Sequence, residues 1–387
     1  MYRVGDKELA NLREVITSRK LFRYGELGGA CAEFERRYAE KLGVSHCTLT
    51  ASGTNALTAA LIGVGIGPGD EVIVPACTYM ATAIAVVSAG AIPIIVDIDD
   101  SITLDPNATE AAIGPRTRAI VPVHMWGQVC DMDALSRIAE NHDLIVVEDA
   151  CQAVGGAYKG RPVGSIGQAG GFSFNYYKNM TAGEGGAVVT NDDEVSERAA
   201  CVVDPCSFYW NGRDSTFKGF TYDGARSSEL QGAMLNAQLD RIDGMIATMR
   251  DQKKRILDET ASSGLAPVRA NSLDWECGTH IMYRLPTAET ANAFANRTNG
   301  TVAMKTGRHV YTEWDPILEH RGAHHPALNP FEIPENAECR MTYSPDMCSR
   351  SLSILETTVF LTTHPDHDDD DIVSRIAEIH AAASEVL

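Results

Sequence analysis

The sequence lacks an apolar run long enough to cross a membrane. The longest, residues 81–96, is interrupted by Ser88, Gly90 and Pro93, and it falls short of the roughly 20 residues that a bilayer-spanning helix needs. The amino-terminal segment MYRVGDKELANLREV also lacks the basic-then-apolar order of a secretory signal. These absences argue against a membrane span and predict a cytoplasmic protein.

Closely spaced cysteines are absent too. The ten cysteines include no C-x-x-C pair, which is the usual signature of zinc and dithiol sites. Their scatter is typical of reduced structural thiols rather than of a disulfide framework. We therefore predict no metal site built on cysteine.

Basic residues are in deficit. Lys and Arg total 33 against 52 Asp and Glu, which gives a formal net charge of −19. Such a field repels a phosphate backbone, so nucleic acid is not expected as a partner. No internal repeat with a period of about 20 to 50 residues is visible, which excludes a solenoid.

Hydrophobic residues, in contrast, are plentiful, at 44% of a 387-residue chain in which 22% of residues are charged. This composition is typical of a folded globular protein, and the length allows two or three packed units. Beyond residue 250 the strand patterns become sparse and the loops longer. We predict a large domain over residues 1–250 and a smaller C-terminal α/β domain over residues 251–387.

Helical and strand periods alternate from about residue 32 to 200, as in an α/β layered fold. The predicted strands are EVIVPA from Glu71, PIIVDI from Pro93, RAIVPVHM from Arg118 and LIVVEDA from Leu144. Their continuous apolar character indicates burial on both faces. Helices are predicted over residues 32–44, 53–66, 79–89, 131–141 and 227–257. Those between strands suit crossover connections, so we predict a mainly parallel sheet.

The segment Ser52-Gly53-Thr54-Asn55 opens one of these predicted helices. Exposed amides, the positive end of the helix dipole and small hydroxyls make such a segment a cradle for phosphate. Taken alone, it is more simply interpreted as an ordinary helix cap.

Asp149 ends the predicted strand LIVVEDA, and Gln152 follows one turn later. Ligands of parallel sheets bind outside the carboxyl ends of the strands, so a carboxylate there is placed to meet one. The simpler interpretation is again a helix-capping aspartate.

Lys178 follows the predicted strand GGFSF and the pair Tyr176-Tyr177, and it precedes the glycine-rich AGEGG. A lysine among aromatic and apolar groups is desolvated, its pKa falls, and its free amine can form a Schiff base. An arbitrary lysine is more simply a solvated surface ammonium. However, a phosphate cradle, a carboxylate for a pyridinium proton and a Schiff-base lysine are together the contacts that pyridoxal phosphate requires.

The sequence at this point resembles the DegT/StrS family of pyridoxal-phosphate sugar aminotransferases, closely over residues 24–245 and loosely beyond. The runs that carry the resemblance are SGTNALTAAL, EVIVPACTYMATAIAV, VVEDACQAVGGAYKG, FSFNYYKNMTAGEGGAVVTND and SSELQGAMLNAQLDRID. The resemblance implies the aspartate-aminotransferase architecture, fold type I, with a large mixed-sheet domain and a smaller α/β domain. It also implies a homodimer whose active sites lie at the subunit interface.

The resemblance assigns roles to individual residues. Lys178 matches the lysine that binds the cofactor covalently, and Asp149 matches the partner of the pyridine nitrogen. Gln152 matches the residue near the cofactor's phenolic oxygen, and Tyr79 the aromatic residue that stacks on its ring. The phosphate contacts are matched by Gly53, Thr54 and Ser173, and Glu184 lies in the family's GEGG turn.

One segment departs from the family pattern. The family has an asparagine that reaches the phosphate of the other subunit, whereas residues 222–226 read YDGAR, with Gly224 in its place. Arg226 or a neighbouring residue such as Asn211 is the candidate substitute. The stretch FYWNGRDSTFKGF, residues 208–220, is unusual as well.

The predicted reaction moves an amino group from L-glutamate or L-glutamine to a keto group of a sugar, with a nucleotide-linked sugar as the main interpretation. A lysine at position 178 favours transamination, because relatives that dehydrate sugars have histidine there. The alternatives are a cyclitol aminotransferase, a sugar dehydratase on the same cofactor, and a regulatory dimer without catalysis.

Other polar clusters are interpreted more simply. His309, His320, His324 and His325 have no metal-binding spacing and are candidates for the substrate pocket instead. The run Asp368–Asp371 opens a predicted helix, where negative charge suits the dipole better than it indicates calcium.

Overall fold

The computed structural model describes residues 3–24, 28–206 and 219–387. The strands of the first half are β1 (His46–Thr50), β2 (Glu71–Pro75), β3 (Ile92–Val96), β4 (Thr117–Ile120), β5 (Ile145–Asp149), β6 (Ala157–Tyr158), β7 (Arg161–Pro162), β8 (Ala169–Ser173) and β9 (Gly186–Thr190). The short β6 and β7 pair with each other. The other seven form one sheet in the order β1-β9-β8-β5-β4-β2-β3.

The large sheet is mixed and mainly parallel, as predicted. Strands β3, β2, β4, β5 and β8 run parallel to their neighbours, whereas β9 is antiparallel to β8 and β1 to β9. Val72 and Val74 pack in one apolar cluster and Ile73 in another, so successive residues of β2 are buried on opposite faces. Burial on both faces explains the continuous apolar runs of these strands.

Helices cover the sheet. They are α1 (Asp6–Ser18), α2 (Ala30–Leu42), α3 (Gly53–Gly63), α4 (Ala81–Ser88), α5 (Pro106–Ala111), α6 (Met132–His142), α7 (Asp193–Val203), α8 (Glu229–Leu239) and α9 (Ile242–Glu259). Side-chain oxygens of Ser52, Asp105, Asp131 and Asp192 accept first-turn amides and so begin α3, α5, α6 and α7. Gly43, with φ of 69°, ends α2 in the left-handed conformation that glycine adopts without strain.

The single helix predicted over residues 227–257 is instead two helices, α8 and α9, and the prediction was wrong at the junction. The Arg241 guanidinium donates to the carbonyl of Ala237 at 3.1 Å, which is the carbonyl that the Arg241 amide would use in a continuous helix. That amide bonds to the carbonyl of Gln238 instead, at 3.1 Å. The chain therefore tightens and starts a new helix.

A second, antiparallel sheet lies in the C-terminal part. Its strands are β10 (Ala266–Pro267), β11 (His280–Arg284), β12 (Thr301–Val302) and β13 (Thr358–Thr362), in the order β10-β11-β13-β12. The helices of this part are α10 (Ala288–Arg297), α11 (Asp315–Leu318), α12 (Ser349–Thr357) and α13 (Asp369–Val386).

The two parts share helix α9 and a returning segment. On α9, Met249 packs in the core of the large sheet and Ile256 in the core of the small sheet. Further along the chain, Tyr311 and Trp314 pack back against the large sheet. The domain boundary near residue 250 stays a prediction.

Two other features bear on the expectations from the sequence. All ten cysteines are free thiols. Within the described ranges, no helix has both the length and the apolarity to cross a bilayer.

An aromatic cluster fixes β8 against α2. Phe172 meets Tyr38 edge to face at 5.2 Å between ring centroids, and Phe174 meets Phe34 in the same way at 5.5 Å. Because side chains alternate along a strand, Ser173 between them points to the other face. The cluster therefore sets the position of Ser173.

We expect Phe172→Ala to destabilise the protein by about 3–5 kcal/mol, since it leaves a cavity among rings that cannot collapse fully. Val373→Ala is the control, because Val373 is exposed on α13, and its effect should stay within about 0.5 kcal/mol. Chemical denaturation measures both. Equal midpoints for wild type and Phe172→Ala would contradict this role of the cluster.

Candidate active site

A cavity of about 620 Å³ opens at the carboxyl ends of β2, β5 and β8. The structure brings every residue of the predicted site to its wall: Gly53, Thr54, Tyr79, Asp149, Gln152, Ser173 and Lys178. Ser52 and Glu184 line it as well. This is the edge of a parallel sheet at which ligands bind.

The predicted phosphate cradle lies where α3 passes over β8. A Cβ at Gly53 would come within 2.7 Å of Ser173 Cβ and 3.1 Å of Cys151 Sγ, so glycine is required there. The first amides of α3 and the hydroxyls of Thr54 and Ser173 therefore meet at one wall of the cavity. Ser52 also caps the helix, accepting from the Asn55 amide at 3.2 Å, so the capping interpretation is correct and compatible with a cradle.

Asp149 is nearly buried, with 4% of its surface exposed. Its Oδ1 accepts from the Cys151 amide at 3.0 Å, and its Oδ2 accepts from Thr82 Oγ1 at 2.7 Å. The carboxylate is thus held from two elements while it faces the cavity. Sequence reasoning missed Thr82, which lies in the first turn of α4.

The neighbouring Glu148 points away from the cavity and is fully buried. It accepts from the amides of Gly164, Ile166 and Gly167 at 2.6–2.8 Å. His124 Nε2 lies 3.0 Å from the same carboxylate. Its Nδ1 accepts from the Cys130 amide, so Nε2 is the nitrogen that donates to Glu148. These bonds fix the end of β5 from its outer face.

Lys178 lies on the turn between β8 and β9, half-buried in the cavity wall. Burial lowers the pKa of its ammonium, and the neighbouring Cys151 and Asp149 act in the opposite direction. At neutral pH a larger fraction of the amine is therefore unprotonated than in a solvated lysine. An unprotonated amine is a nucleophile and a base.

Hydrogen bonds from several elements hold the Lys178 turn. Gln238 of α8 binds the main chain of Thr181 twice, accepting from its amide at 2.7 Å and donating to its carbonyl at 2.6 Å. Asn179 Nδ2 donates to the Val154 carbonyl at 2.9 Å. Gln238 is buried, so neither of its bonds is exchanged readily with water.

Glu184 belongs to the same turn. Its carboxylate accepts from Asn175 Nδ2 at 3.1 Å, and its carbonyl accepts from Gln231 Nε2 at 2.8 Å. Asn175 precedes Lys178 and its carbonyl accepts from the Lys178 amide at 3.0 Å. Glu184 therefore links the two ends of the turn.

A second wall comes from the C-terminal half of the chain, and sequence reasoning identified only part of it. The residues are Thr279, His280, Thr306, Arg308 and His309. Among the four histidines proposed for the substrate pocket, His309 lines the cavity, whereas His320, His324 and His325 do not. The other wall residues carry no local signal, because they are distant in sequence from the strand ends that they face.

The two histidines of this wall are neutral. His309 Nδ1 lies 3.1 Å from the Thr306 carbonyl, and His280 Nδ1 lies 3.0 Å from the Trp126 carbonyl. A carbonyl only accepts, so each ring carries its proton on Nδ1. Burial lowers the pKa of His280 to about 4 and lowers the pKa of His309, with Lys178 and Arg308 adding to the effect.

The second wall of the cavity packs on a strained turn that follows β4. Trp126 has φ of 52°, a conformation that costs a residue with a bulky side chain, and Gly127 follows with φ of 80°. The Trp126 carbonyl also accepts from Thr279 Oγ1 at 3.0 Å, and the Gly127 carbonyl from the Cys277 amide at 3.0 Å. The turn thus exposes two successive carbonyls to the C-terminal half.

Tyr79 lies between the two walls. Its ring lies 5.4 Å from that of His309, and the Arg308 guanidinium lies over it at 5.8 Å from the ring centroid. Tyr79 is 40% exposed, so part of its ring remains accessible to a ligand.

Of the departures noted in the sequence, Gly224 and Arg226 lie within the described residues, and neither lines the cavity. Arg226 donates to Asp204 Oδ2 at 3.4 Å and does not line the cavity. Asn211 and most of the stretch 208–220 lie outside the described residues. Which group replaces the family's asparagine stays a prediction.

Among the described residues, no group of three or more His, Cys, Asp or Glu side chains is arranged to hold a metal ion. Asp368 instead begins α13, where its carboxylate accepts from the Asp371 amide at 3.0 Å. The aspartate run is therefore a helix start.

The chain has clear relatives. The model of the DegT/DnrJ/EryC1/StrS aminotransferase family matches residues 3–316. GDP-perosamine synthase of Caulobacter vibrioides is 44% identical over 57% of this chain and 59% of its own length. A putative L-glutamine:3-amino-2,3-dideoxy-scyllo-inosose aminotransferase of Streptoalloteichus tenebrarius is 40% identical over 69% of this chain and 64% of its own. The chain thus spans less than two thirds of these two curated relatives.

The structure supports the same relationship. The crystal structure of 3-amino-5-hydroxybenzoic acid synthase matches with a TM-score of 0.79 and 29% identity, covering 100% of this chain and 98% of the other. The fold type I architecture expected from the resemblance is therefore confirmed.

We expect Gln238→Leu to loosen the Lys178 turn. The variant leaves the buried amide and carbonyl of Thr181 without partners, at a cost of about 1–3 kcal/mol for each group. Hydrogen–deuterium exchange should therefore accelerate over residues 174–185 and stay unchanged in β11 and β13. Gln231→Leu is the control: it loses two exposed bonds, one from the Ser228 amide and one to the Glu184 carbonyl, and should change exchange less. Unaltered exchange over residues 174–185 would contradict the role of Gln238.

Proposed function

We propose, from the premise that this chain belongs to the DegT/DnrJ/EryC1/StrS aminotransferase family, that it is a pyridoxal-phosphate-dependent aminotransferase. Its reaction moves an amino group from L-glutamate or L-glutamine to a keto group of a hydroxyl-rich ring, in the main interpretation a nucleotide-linked sugar. The observation that carries the proposal is the Lys178 amine, half-buried and with its pKa lowered by burial, in one cavity with Asp149 and the cradle at Gly53.

The residues of the cavity fit the cofactor. The α3 amides with Thr54 and Ser173 would bind its phosphate, Asp149 would hold the proton on its ring nitrogen, and the exposed part of Tyr79 would take its ring. Gln152 lines the same cavity and is assigned to the phenolic oxygen. Pyridoxal phosphate supplies an aldehyde that condenses with amines and a ring that withdraws electrons from the substrate carbon.

Lys178 has two tasks in this scheme. Its unprotonated Nζ would be the nucleophile that holds the cofactor covalently, and the same amine would be the base for the proton on the donor's α-carbon. Both tasks require an amine that is free of its proton near neutral pH. Partial desolvation of Lys178 meets that requirement.

The second wall suits a substrate with hydroxyl groups. Neutral His280 and His309 carry their protons on Nδ1, so each retains Nε2 as a hydrogen-bond acceptor. Arg308 adds donors at the same wall and forms no ion pair with another described residue. The hydroxyls of a sugar or cyclitol would donate to the two histidine Nε2 atoms and accept from the Arg308 guanidinium.

Two alternatives remain within the cofactor's chemistry. A cyclitol aminotransferase is favoured by the similarity to the scyllo-inosose aminotransferase, and the wall described above suits both rings. A dehydratase is less favoured, because position 178 is lysine. A regulatory dimer without catalysis would have no need of a desolvated lysine.

Two further points belong to this proposal. A homodimer with the site at the interface is supported by Tyr177, which adjoins Lys178 with 80% of its surface exposed and would be covered by a partner. A cytoplasmic location agrees with the reduced thiols.

Lys178→Ala should retain pyridoxal phosphate noncovalently but lose turnover by at least about 10²–10⁴-fold, the usual contribution of a positioned base. Borohydride treatment followed by peptide mapping should label Lys178 in the wild type and nothing in the variant. Lys159→Ala, which removes an exposed lysine paired with Asp133, is the control. Undiminished activity in Lys178→Ala would remove the mechanism.

The same labelling reaction has a predicted pH dependence. Since burial lowers the pKa of Lys178, capture of added cofactor should rise with pH to a midpoint below the ordinary lysine value of about 10.4.

Asp149→Asn keeps the size of the side chain but removes the charge that would pair with the ring nitrogen. We expect cofactor affinity to fall by about 10²-fold or more, the scale for losing one partner of a buried charge pair, and the rate to fall as well. Equilibrium dialysis against pyridoxal phosphate measures the first effect. Asp192→Asn, at the start of α7 outside the cavity, should bind like wild type.

A further inference from the structure

Two buried hydroxyls lie behind the Asp149 carboxylate. Thr78 and Thr82 are each 1% exposed. Thr82 Oγ1 donates to Asp149 Oδ2 at 2.7 Å, and the hydroxyls of Thr78 and Thr82 are themselves 2.7 Å apart. The three side chains form a chain of short hydrogen bonds that leads from the cavity wall to the carboxylate.

The direction of this chain follows from the number of protons. An ionised carboxylate only accepts, and a threonine hydroxyl has one proton to donate. Thr82 donates its one hydroxyl proton to Asp149, so Thr78 is the donor in the hydrogen bond between the two threonines. The competing acceptor, the Tyr79 carbonyl, is farther from both hydroxyls, at 3.4 Å from Thr78 and 3.3 Å from Thr82.

These hydroxyls are not used to cap the helix beside them. Helix α4 begins after Met80, which makes no side-chain capping bond, although Thr78 and Thr82 flank that position. Serine and threonine at helix starts ordinarily satisfy the free amides of the first turn. Here Thr82 donates to the Asp149 carboxylate instead, and Thr78 donates to Thr82.

The other carboxylate oxygen is held independently. Asp149 Oδ1 accepts from the Cys151 amide at 3.0 Å, so the two carboxylate oxygens are bonded to two separate segments of the chain. With Thr82 on Oδ2, these bonds restrain rotation of the carboxylate. The segment that supplies Thr82 also supplies Tyr79, so ring stacking and carboxylate orientation would be set by the same turn.

We propose that Thr82, with Thr78 as its donor, is a positioning residue that orients the Asp149 carboxylate and keeps it charged toward the ring nitrogen of the bound cofactor. This inference rests on the proposed function, because it assigns Asp149 to that nitrogen. A donated hydrogen bond favours the ionised form of a carboxylate, and an ionised partner leaves the shared proton on the nitrogen. Without Thr82 the proton would shift toward the carboxylate, and the carboxylate would be free to rotate.

The test uses the holoenzyme loaded with pyridoxal phosphate labelled with ¹⁵N at the ring nitrogen. Thr82→Val removes the hydroxyl and keeps the shape, and Thr82→Ser restores the hydroxyl. Thr109→Val is the matched control, since Thr109 is a fully buried threonine whose hydroxyl bonds to the Asp105 carbonyl at 2.8 Å, outside the cavity.

Thr82→Val should weaken cofactor binding by about tenfold or more, the scale of a hydrogen bond to a charged group. Its ¹⁵N signal should move toward that of unprotonated pyridine. Thr82→Ser and Thr109→Val should match the wild type in both measurements. A merely structural role for Thr82 would lower stability without moving the nitrogen signal.

Thr78→Val provides a second route if Thr82→Val does not fold. It removes the donor to Thr82 and leaves the bond to Asp149, so it should move the nitrogen signal in the same direction by a smaller amount. If Thr82→Val has the ¹⁵N signal and the cofactor affinity of the wild type, the inference is overturned. If Thr82→Val does not fold, the same result in Thr78→Val overturns it. Borohydride labelling of Lys178 in the wild type separates this outcome from failure of the proposed function, which would abolish the labelling itself.

Discussion

The site depends on one constraint, namely that the turn after β8 keeps the Lys178 amine half-buried in the cavity that Asp149 also lines. The main chain of Thr181 is bonded twice to the buried Gln238, so the turn has little freedom to move the amine toward solvent. Burial in turn lowers the pKa of Lys178 and makes its amine reactive. The other residues of the predicted site line the same cavity as this amine.

Strand β5 shows how the fold separates structural from chemical carboxylates. Glu148 and Asp149 are adjacent and both are buried, yet alternation along the strand sends them to opposite faces. Glu148 satisfies three loop amides and His124, which anchors the strand end. Each carboxylate oxygen of Asp149 accepts one hydrogen bond, from Thr82 or from the Cys151 amide, and the side chain still faces the cavity. The anchored strand end holds Asp149 in a fixed place at the cavity wall.

The sequence was most informative where chemistry and local pattern coincide. Continuous apolar runs predicted β2, β3 and β5 nearly to the residue, because burial on both faces leaves an unbroken pattern. The residues around Lys178 were identified because they occur in order at strand ends. The junction at Arg241 was missed, because the hydrogen bond from the Arg241 guanidinium to the Ala237 carbonyl does not change the spacing of hydrophobic residues along the sequence. Thr82 was missed for a related reason, since a hydroxyl at a helix start is read as a cap.

By itself, then, the sequence determined the mainly parallel sheet, the family and the identity of the residues at the strand ends, since these depend on periodicity and on motifs short enough to be read locally. Only the tertiary structure decided that His280 and His309 form the second wall, that both are neutral, and that Thr82 joins the Cys151 amide as a partner of Asp149. Those properties depend on which groups come within hydrogen-bond distance once the chain has folded, and Thr82 and Asp149 are 67 residues apart in sequence, as His280 and Trp126 are 154 apart. Burial and proton direction are set by that three-dimensional neighbourhood, and no linear pattern records it.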